Sequence, residues 1–426
     1  MGTGHTAVRP GHAALVMNAP RVGEHVGLLY SQPSLHASKI YGDRHDNTNI
    51  QAQLFALFDD LHVGYRVIGS RQVARPEWWK ENDIRVLVLP YTLAMKKETV
   101  EGVKAFCKAG GTVVADIRPG VLDGHGKALR DGALDEMFGV RHGKLGDLSK
   151  VIEGPFGAVE YDPAVTLGNG KTEMTFNDAP VWIRNRFGRG RTLLWNIKGT
   201  AYQVNFQTSD FREGSSAAYV GNEGILQRMR PVLKGAKVSP VWKMPGDGQK
   251  LRGTQVAFFE KGQTIMLGLA RLWLKLSPEL TGFEVVPPRR YHLYDVRQGK
   301  YLGRARKFEA ELPLGTAKLY AAIPYKVDGV GIIPSKLQPN GQLPLTLEIQ
   351  PGGRGKRYHV IRIRVFNPKG HERPWYARNV VLEGFEVKTT IPFALNDPPG
   401  KWTIRARDVI SGMEGFTKVE LPGAKE

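Results

Sequence analysis

The amino-acid sequence predicts an α/β domain in the first half of the chain and all-β structure in the second half. In the stretch from Arg85 to Gly120, an apolar run, Val86 to Leu89, precedes a helix-like segment, two glycines and a second apolar run, Thr112 to Ala115. This order is typical of a strand–helix–strand unit. From Val238 onward, apolar residues tend to recur at every second position between glycine and proline turns, which is typical of β-sandwich domains.

Further elements on both sides of that stretch support the α/β prediction. Val26 to Tyr30 and Tyr65 to Ile68 are predicted strands, and Thr48 to Leu61 between them has the apolar spacing of an amphipathic helix. Such β-α-β units are parallel and right-handed. Val181 to Asn196 alternates around a Gly-Arg-Gly turn and predicts a hairpin, and Gly224 to Leu233 predicts the helix that closes the domain.

The second half of the chain divides into two β units. The predicted strands are Gln255 to Glu260, Thr264 to Leu269, Tyr291 to Asp295 and Lys318 to Ile323 in the first unit, and Leu343 to Ile349, His359 to Phe366, Val380 to Gly384 and Trp402 to Asp408 in the second. Pro324 to Pro334 is predicted to link the two units.

The predicted elements divide the chain into four segments. Residues 1–24 contain no clear element and are predicted to be an N-terminal linker, and residues 25–235 form the α/β domain. Residues 236–326 form a β-sandwich domain, and residues 327–426 form a second β domain. The length of the last segment suits an immunoglobulin-like sandwich, which has about 100 residues.

The 426-residue chain carries a formal net charge of +19 and one cysteine, Cys107. A single cysteine excludes an internal disulfide. The charge fits binding to nucleic acid or another acidic polymer. However, the basic residues are scattered, and no nucleic-acid motif accompanies the densest cluster, which argues against nucleic acid. That cluster consists of Arg184, Arg186, Arg189 and Arg191.

The sequence contains no signal for membrane insertion or for export. No apolar stretch reaches the roughly 18 residues of a membrane span, and the N-terminus has no hydrophobic signal core. The sequence therefore predicts a soluble protein without membrane contact, with the cytoplasm as the default compartment.

Polar residues at the ends of the predicted parallel strands are the first candidate site. Ligands of open α/β sheets bind in a crevice at the carboxyl ends of the strands, so Ser31, Gln32, Tyr91, Asp116 and Arg118 are expected to converge there. An ionised carboxylate beside a guanidinium can orient a polyol or a cation. The alternative is that Asp116 only caps the turn that follows its strand.

A histidine-bearing segment is the second candidate. His36 and His45 lie near Asp43 and Asp46, and histidine with carboxylate can bind zinc or perform acid–base chemistry. The spacing matches no metal motif, and a polar surface loop is the alternative. We therefore predict no metal site and no cofactor, and we place only His36 with the crevice candidates.

Aromatic and acidic residues are the third group of candidates, because both types take part in carbohydrate chemistry. Trp78 and Trp79 follow Pro76 at a predicted helix start, and an exposed tryptophan pair predicts a contact surface for a sugar or for another subunit. Glycoside hydrolysis needs two carboxylates about 5–9.5 Å apart in a cleft, and the sequence offers no convincing pair. No catalytic residue is therefore predicted, and Cys107, within a helix, does not occupy the sharp turn of an amidotransferase nucleophile.

Three stretches of this sequence together resemble the trimerisation region of family 42 β-galactosidases. They are VGLLYSQPS, IRVLVLPYTLAMKKETVEGVKAFCKAGGTVVADIRPGVLDGHG and DEMFGV, and the resemblance covers roughly residues 20–235. It implies a doubly wound flavodoxin-like or class I glutamine-amidotransferase-like fold without the amidotransferase nucleophile. The stretches YHLYDVRQGKYLG and IPFALNDPPGKWTIRARDVISG are similar to the β domains that follow this region in larger members.

The resemblance implies a non-catalytic assembly and accessory region that forms a homotrimer. Family members carry their catalytic glutamates in a TIM barrel, and this sequence shows no eightfold βα pattern, so no catalytic residue is carried over. The barrel would be supplied upstream or by another chain. Two alternatives remain: a stand-alone hydrolase of β-galactosides that uses Asp116 with His36, and a binding protein for acidic polysaccharide or nucleic acid.

Overall fold

The structure is a computed structural model that describes residues 11–41, 46–144, 152–154, 157–202, 221–245, 251–271, 280–313, 315–351 and 355–422. Its helices are α1 His12–Met17, α2 Gln32–Ile40, α3 Asp46–Asp60, α4 Ser70–Val73, α5 Pro76–Glu81, α6 Lys97–Lys108, α7 Asp135–Phe138 and α8 Glu223–Gly235, with single 3-10 turns at Gly199–Tyr202 and Pro374–Tyr376.

The first part of the chain forms a seven-stranded sheet with smaller strand pairs beside it. Its strands are β1 Val26–Tyr30, β2 Tyr65–Gly69, β3 Val86–Leu89, β4 Ala94–Met95, β5 Thr112–Ala115, β6 Leu122–Asp123, β7 Val140–Arg141, β8 Ile152–Gly154, β9 Gly157–Val159, β10 Thr166–Leu167, β11 Lys171–Thr172, β12 Thr175–Phe176, β13 Ala179–Pro180, β14 Trp182–Phe187 and β15 Gly190–Trp195.

The large sheet has the order β11-β14-β15-β5-β3-β1-β2. The neighbours from β15 to β2 are parallel, whereas β14 pairs antiparallel with β15 through the predicted hairpin. Alternate side chains of the strands enter two separate cores. Val26 and Leu28 face the core that holds α3 and α8, and Leu29 faces the core that holds α5, α6 and α7. Helices therefore cover both faces of the sheet, as the apolar strand runs predicted.

Helix α6 shows why the strand–helix–strand unit could be predicted from the sequence. Val103, Phe106 and Cys107 recur at helical spacing and are all buried. Gly110 then adopts a φ of +113°, a conformation that side chains avoid, and so ends the helix. Cys107 is fully buried, as its place on the apolar helix face predicted, and burial raises the pKa of its thiol to about 12, which disfavours the reactive thiolate.

The middle β unit consists of β16 Thr254–Lys261, β17 Thr264–Arg271, β18 Leu280–Val285, β19 Tyr291–Asp295, β20 Lys300–Ala305, β21 Phe308–Leu312 and β22 Ala317–Ile323. A five-stranded sheet of order β16-β17-β22-β19-β20 lies with the β18–β21 pair around a core that contains Trp242 and Phe283.

The last β unit consists of β23 Gly329–Pro334, β24 Gln342–Gln350, β25 Tyr358–Phe366, β26 Arg378–Glu383, β27 Glu386–Pro392, β28 Gly400–Asp408 and β29 Glu414–Leu421. Its sheets, β23-β24-β27 and β26-β25-β28-β29, share one core. Trp402 is fully buried in this core, where its ring contacts Tyr376 and Phe393.

Three segments differ from the sequence-based prediction. Pro324 to Pro334 is not merely a linker, because β23 pairs with β24 and buries Val330. The start of the chain is not without elements, since α1 buries Leu15 in the last core and the Leu15 carbonyl accepts a hydrogen bond from Tyr358 Oη at 2.6 Å. The polar segment after Ser31 forms α2, whereas a loop was expected. Tertiary contacts stabilise all three elements, which are too short or too polar for a clear periodic signal in the sequence.

No helix of the described residues is long and apolar enough to cross a membrane.

Candidate functional site

An open groove lies at the carboxyl ends of β1 and β2, with a volume of about 930 Å³. Gln32 and His36 of α2 line one side, and Arg71 of α4 lines another. Lys96 and Glu98, at the start of α6, complete its polar surface. Two of the predicted site residues thus reach solvent in a pocket of ligand size.

Ser31 does not line this groove, because it is buried beneath it as the N-cap of α2. Its Oγ accepts a hydrogen bond from the Ser34 amide at 3.3 Å and donates to the Ala94 carbonyl at 3.0 Å. Ser34 Oγ donates to the same carbonyl at 2.9 Å and accepts from the Ala94 amide at 3.0 Å. These bonds join the segment after β1 to the segment after β3, so polar contacts fill the crevice expected between those strands.

Asp116 and Tyr91 come together as predicted, but in the interior. The Tyr91 amide donates to Asp116 Oδ1 at 2.7 Å, and both residues are 2% exposed. Burial raises the pKa of Asp116 well above its ordinary value. Tyr91 has a φ of +38°, a conformation that costs a non-glycine residue about 1–2 kcal/mol. Asp116 therefore stabilises a bend after β3, a structural role that differs from capping its own turn.

Arg118 pairs with Asp162, whereas the sequence predicted that it lies beside Asp116. Its Nε donates to Asp162 Oδ2 at 2.6 Å, and Asp162 is 2% exposed. This buried pair links the end of β5 to the segment before β10. The five strand-end residues are therefore neighbours along the sheet edge, but they do not form one open crevice.

The remaining sequence candidates separate in the structure. His36 lies exposed on α2, while Asp43 and His45 fall outside the described residues. Among the residues that the structure describes, no group of three or more His, Cys, Asp or Glu side chains is placed to hold a metal ion. The expected exposed tryptophan pair is wrong for Trp79, which is buried and packs edge-on against Phe106 with ring centroids 5.4 Å apart. Trp78 is half-buried at the same core.

A second cavity, of about 400 Å³, contains two carboxylates that sequence analysis missed. Glu24 lies 3.0 Å from Arg66 and 3.4 Å from Arg21. Burial, with a smaller contribution from the charge of Asp60, raises the pKa of Asp59 to about 7. The available signal was the pair Asp59–Asp60 at the end of α3, because a helix C-terminus disfavours negative charge.

Replacing Asp59 with asparagine should make the unfolding free energy depend less on pH between about 5 and 9. A carboxyl whose pKa is higher in the folded state than in the unfolded state holds its proton better when folded, so its stabilisation is complete below pH 4 and is lost as the pH rises through 7. The variant should gain up to a few kcal/mol relative to the parent between pH 5 and 9, since one pKa unit corresponds to about 1.4 kcal/mol. Denaturant unfolding at each pH measures this.

Asp123→Asn is the matched control for this experiment. Hydrogen bonds from the Lys127 and His125 amides lower the pKa of Asp123. The Asp123→Asn variant should therefore still lose unfolding free energy as the pH rises through 7, as the parent does. Parallel profiles for the parent and Asp59→Asn would show that Asp59 titrates normally.

The fold and these sites define an α/β domain followed by β domains, similar to the non-catalytic domains of GH42 β-galactosidases. Residues 26–193 match the family described as the β-galactosidase trimerisation domain. The resemblance stated from the sequence is therefore confirmed. None of the curated proteins compared with the chain matches it.

Solved β-galactosidases are similar to this chain at low sequence identity, and one of them has a TM-score above 0.5. A β-galactosidase from Bacillus circulans sp. alkalophilus aligns over 72% of this chain and 42% of its own, with 14% identity and a TM-score of 0.52. A catalytic mutant of a GH42 β-galactosidase from G. stearothermophilus aligns over 70% and 40%, with 16% identity and a TM-score of 0.48. An enzyme from Halorubrum lacusprofundi aligns over 73% and 41%, with 13% identity and a TM-score of 0.46. The chain thus spans about two fifths of the length of these proteins.

Proposed function

We propose that this chain is the non-catalytic assembly and accessory region of a β-galactosidase-like glycoside hydrolase, and that its α/β domain holds copies together as a homotrimer. The observation that carries this proposal is the match of residues 26–193 to the β-galactosidase trimerisation domain. The site geometry supports it, because Asp116, Tyr91 and Arg118 are engaged in internal contacts that maintain the fold.

The proposal includes the domain boundaries and their fold types. The α/β domain, residues 25–235, is assigned to the flavodoxin-like and class I amidotransferase-like group, since its parallel strands follow the order 2-1-3-4-5 when numbered along the chain. Residues 236–326 form a β-sandwich, and the two sheets of residues 327–426 support an immunoglobulin-like assignment. Residues 1–24 lead into the α/β domain.

The partners in this proposal are other copies of the chain and a catalytic barrel, which is supplied upstream in the same polypeptide or by another chain. The groove beside Gln32 and His36 is accessible to a carbohydrate. Exposed apolar residues of the α/β domain offer area for self-association: Ile40, Tyr41 and Val67, the last on edge strand β2, are 74%, 53% and 52% exposed.

Light scattering after size-exclusion chromatography tests the assembly. The expected mass is three times the 47.3 kDa of one chain. Ile40→Glu should shift the distribution toward monomer if the end of α2 lies in the contact, because a charge would be buried there. Leu395→Glu, at a 93% exposed position of the last β unit, is the matched control. A parent protein that is monomeric at tens of micromolar contradicts trimerisation.

A stand-alone hydrolase is the second candidate, and the cavity with Glu24 and Asp59 is the observation that favours it. One carboxyl with a raised pKa beside one held by arginines is the arrangement of a general acid and its partner. Assaying the purified chain on β-galactosides decides the matter. An inert protein removes this candidate, whereas activity that Asp59→Asn abolishes and Asp116→Asn leaves unchanged would place the site in this cavity.

A further inference from the structure

Four arginines form a compact cluster on the outer face of the last β unit. Arg362 and Arg364 lie on β25, and Arg405 and Arg407 lie on β28. The register of the two strands puts Arg362 opposite Arg407 and Arg364 opposite Arg405. The residues between them, such as Ile363 and Ala406, are buried in the core, so the alternation of the strands directs all four arginines outward. We call this set the arginine quartet.

The quartet is unfavourable for the sheet that carries it. Like charges directly opposite each other on neighbouring strands destabilise the pairing. Compensation within the protein is weak, since Arg364 Nε lies 3.8 Å from Glu372 and Arg362 makes a long contact of 3.5 Å to Asn379. Among the described residues, Arg405 and Arg407 form no ion pair within 4.0 Å, although Glu414 lies opposite Arg407 in register. The four positive charges are therefore only partly neutralised within the protein.

Basic residues elsewhere on the chain are used differently. Near the C-terminal ends of α6 and α8, Arg189 donates to the Ala109 carbonyl at 3.1 Å and Arg85 donates to the Lys237 carbonyl at 2.7 Å. Those cations satisfy helix C-terminal carbonyls, which is a structural task. The quartet has no such contact with a helix end among the described residues, and its four arginines differ from other exposed basic residues in facing each other in pairs across two strands.

The quartet surrounds a small cavity of about 240 Å³ that Glu372 and Glu414 also line. Arg364 and Arg405 each lie 5.1 Å from the centre of the Phe366 ring, and this stacking orients their guanidinium groups. Phe416 is directly opposite Arg405 in register and is 71% exposed. Oriented guanidinium forks, flanking carboxylates and an exposed apolar ring thus meet at one place.

We propose that the arginine quartet binds an acidic saccharide, whose sulfate or carboxylate group is held by the paired guanidinium groups. Guanidinium forks match the oxygens of such anions in a bidentate manner. Glu372 and Glu414 accept hydrogen bonds from sugar hydroxyls, and Phe416 packs against the apolar face of a sugar ring. Carboxylates are acceptors that need hydroxyl or amide donors, and every ring of a saccharide supplies hydroxyl donors beside its anionic group, so a saccharide fits better than a nucleic acid. This site lies outside the trimerisation region and is independent of the proposed assembly.

Binding of the full chain to dextran sulfate, with neutral dextran as reference, tests the proposal. Arg364→Gln combined with Arg405→Gln should weaken binding at least tenfold, since both guanidinium groups beside Phe366 lose their charge-assisted hydrogen bonds to the anion. Arg304→Gln combined with Arg306→Gln removes the same charge from exposed positions on or just after β20 and should change binding little. Polygalacturonate in place of dextran sulfate distinguishes carboxylate from sulfate recognition.

Two outcomes overturn the proposal. An equal loss in both double variants would show that net charge alone attracts the polymer. Tighter binding of a single-stranded oligonucleotide than of dextran sulfate, lost in the quartet variant, would assign the face to nucleic acid. Thermal unfolding separates binding from folding, because removing two facing like charges should leave the melting temperature unchanged or higher.

Discussion

The Asp408→Ala variant is expected to lose about 3–5 kcal/mol of unfolding free energy, because it removes a fully buried carboxylate and leaves several of its hydrogen-bond partners buried and unpaired. Asp408 and His359 are both fully buried, with Oδ1 and Nδ1 2.8 Å apart. Asp408 Oδ2 also accepts hydrogen bonds from the Ser411 amide at 2.8 Å and from Ser411 Oγ at 2.6 Å. Alanine would leave these donors buried without a partner.

The pH dependence of this loss has a definite sign. Burial alone would raise the pKa of Asp408, but the charge and hydrogen bond of His359 and the Ser411 bonds outweigh it, so the pKa is lowered. A carboxyl with a lowered pKa stabilises the fold above its unfolded pKa, and this contribution disappears as the pH falls through the folded value. The difference between parent and variant should therefore shrink in acid.

Urea unfolding of the parent and the variant, monitored by circular dichroism, measures this effect. Asp408→Asn keeps the shape and an acceptor oxygen, so it should cost less, and Ser411→Ala should cost about 1 kcal/mol. An Asp408→Ala protein within 1 kcal/mol of the parent (roughly the value of one hydrogen bond) would refute the view that this pair stabilises the last β unit.

Replacing Asp60 with alanine should cost about 3 kcal/mol, since it leaves at least two buried donors unpaired at roughly 1–3 kcal/mol each. Asp60 is 1% exposed at the end of α3. It accepts hydrogen bonds from Tyr202 Oη at 2.5 Å and from the Gly253 amide at 2.8 Å. These bonds join the α/β domain to the segment that enters β16, so the variant should also loosen the junction between the α/β domain and the middle β unit.

A second readout separates charge from packing in this variant. The Asp60 charge contributes to the raised pKa of Asp59, so Asp60→Ala should lower that pKa, which NMR titration of the Asp59 carboxyl detects. Asp83→Ala, whose side chain is 56% exposed and pairs with Arg85, should cost less than about 1 kcal/mol. Equal losses of unfolding free energy in Asp60→Ala and Asp83→Ala would mean that the burial of Asp60 does not increase its contribution to stability.

The secondary structure of the parallel sheet was predictable because its strands are short apolar runs and its helices have a regular apolar face. Helix α2 was not, since Ala37 is its only buried apolar residue and the rest of its buried face is Ser34 and Ser38. Serines carry no periodic apolar signal, although Ser31 followed by Gln32-Pro33 is a recognisable N-cap. Strand β23 was not predicted either, because its two glycines and terminal proline are typical of a linker.

For the site, the sequence predicted which residues share the sheet edge but not whether they reach solvent. The Asp116–Tyr91 contact follows from two adjacent parallel strands and was expected. The closure of the crevice depends on Ser31 and Ser34 bonding to Ala94, sixty or more residues away, and no local pattern encodes that contact.

The sequence by itself determined the fold class, the helical and strand periods and the resemblance to the β-galactosidase trimerisation domain, because these depend on residue type and local spacing. Only the tertiary structure decided that the strand-end carboxylate is internal and that the arginine quartet forms. The motifs IRIRVF and TIRARD each show alternating arginines, but whether they face each other depends on the register of β25 against β28. A shift of one residue would turn one set into the core, and packing of the whole last β unit excludes that shift.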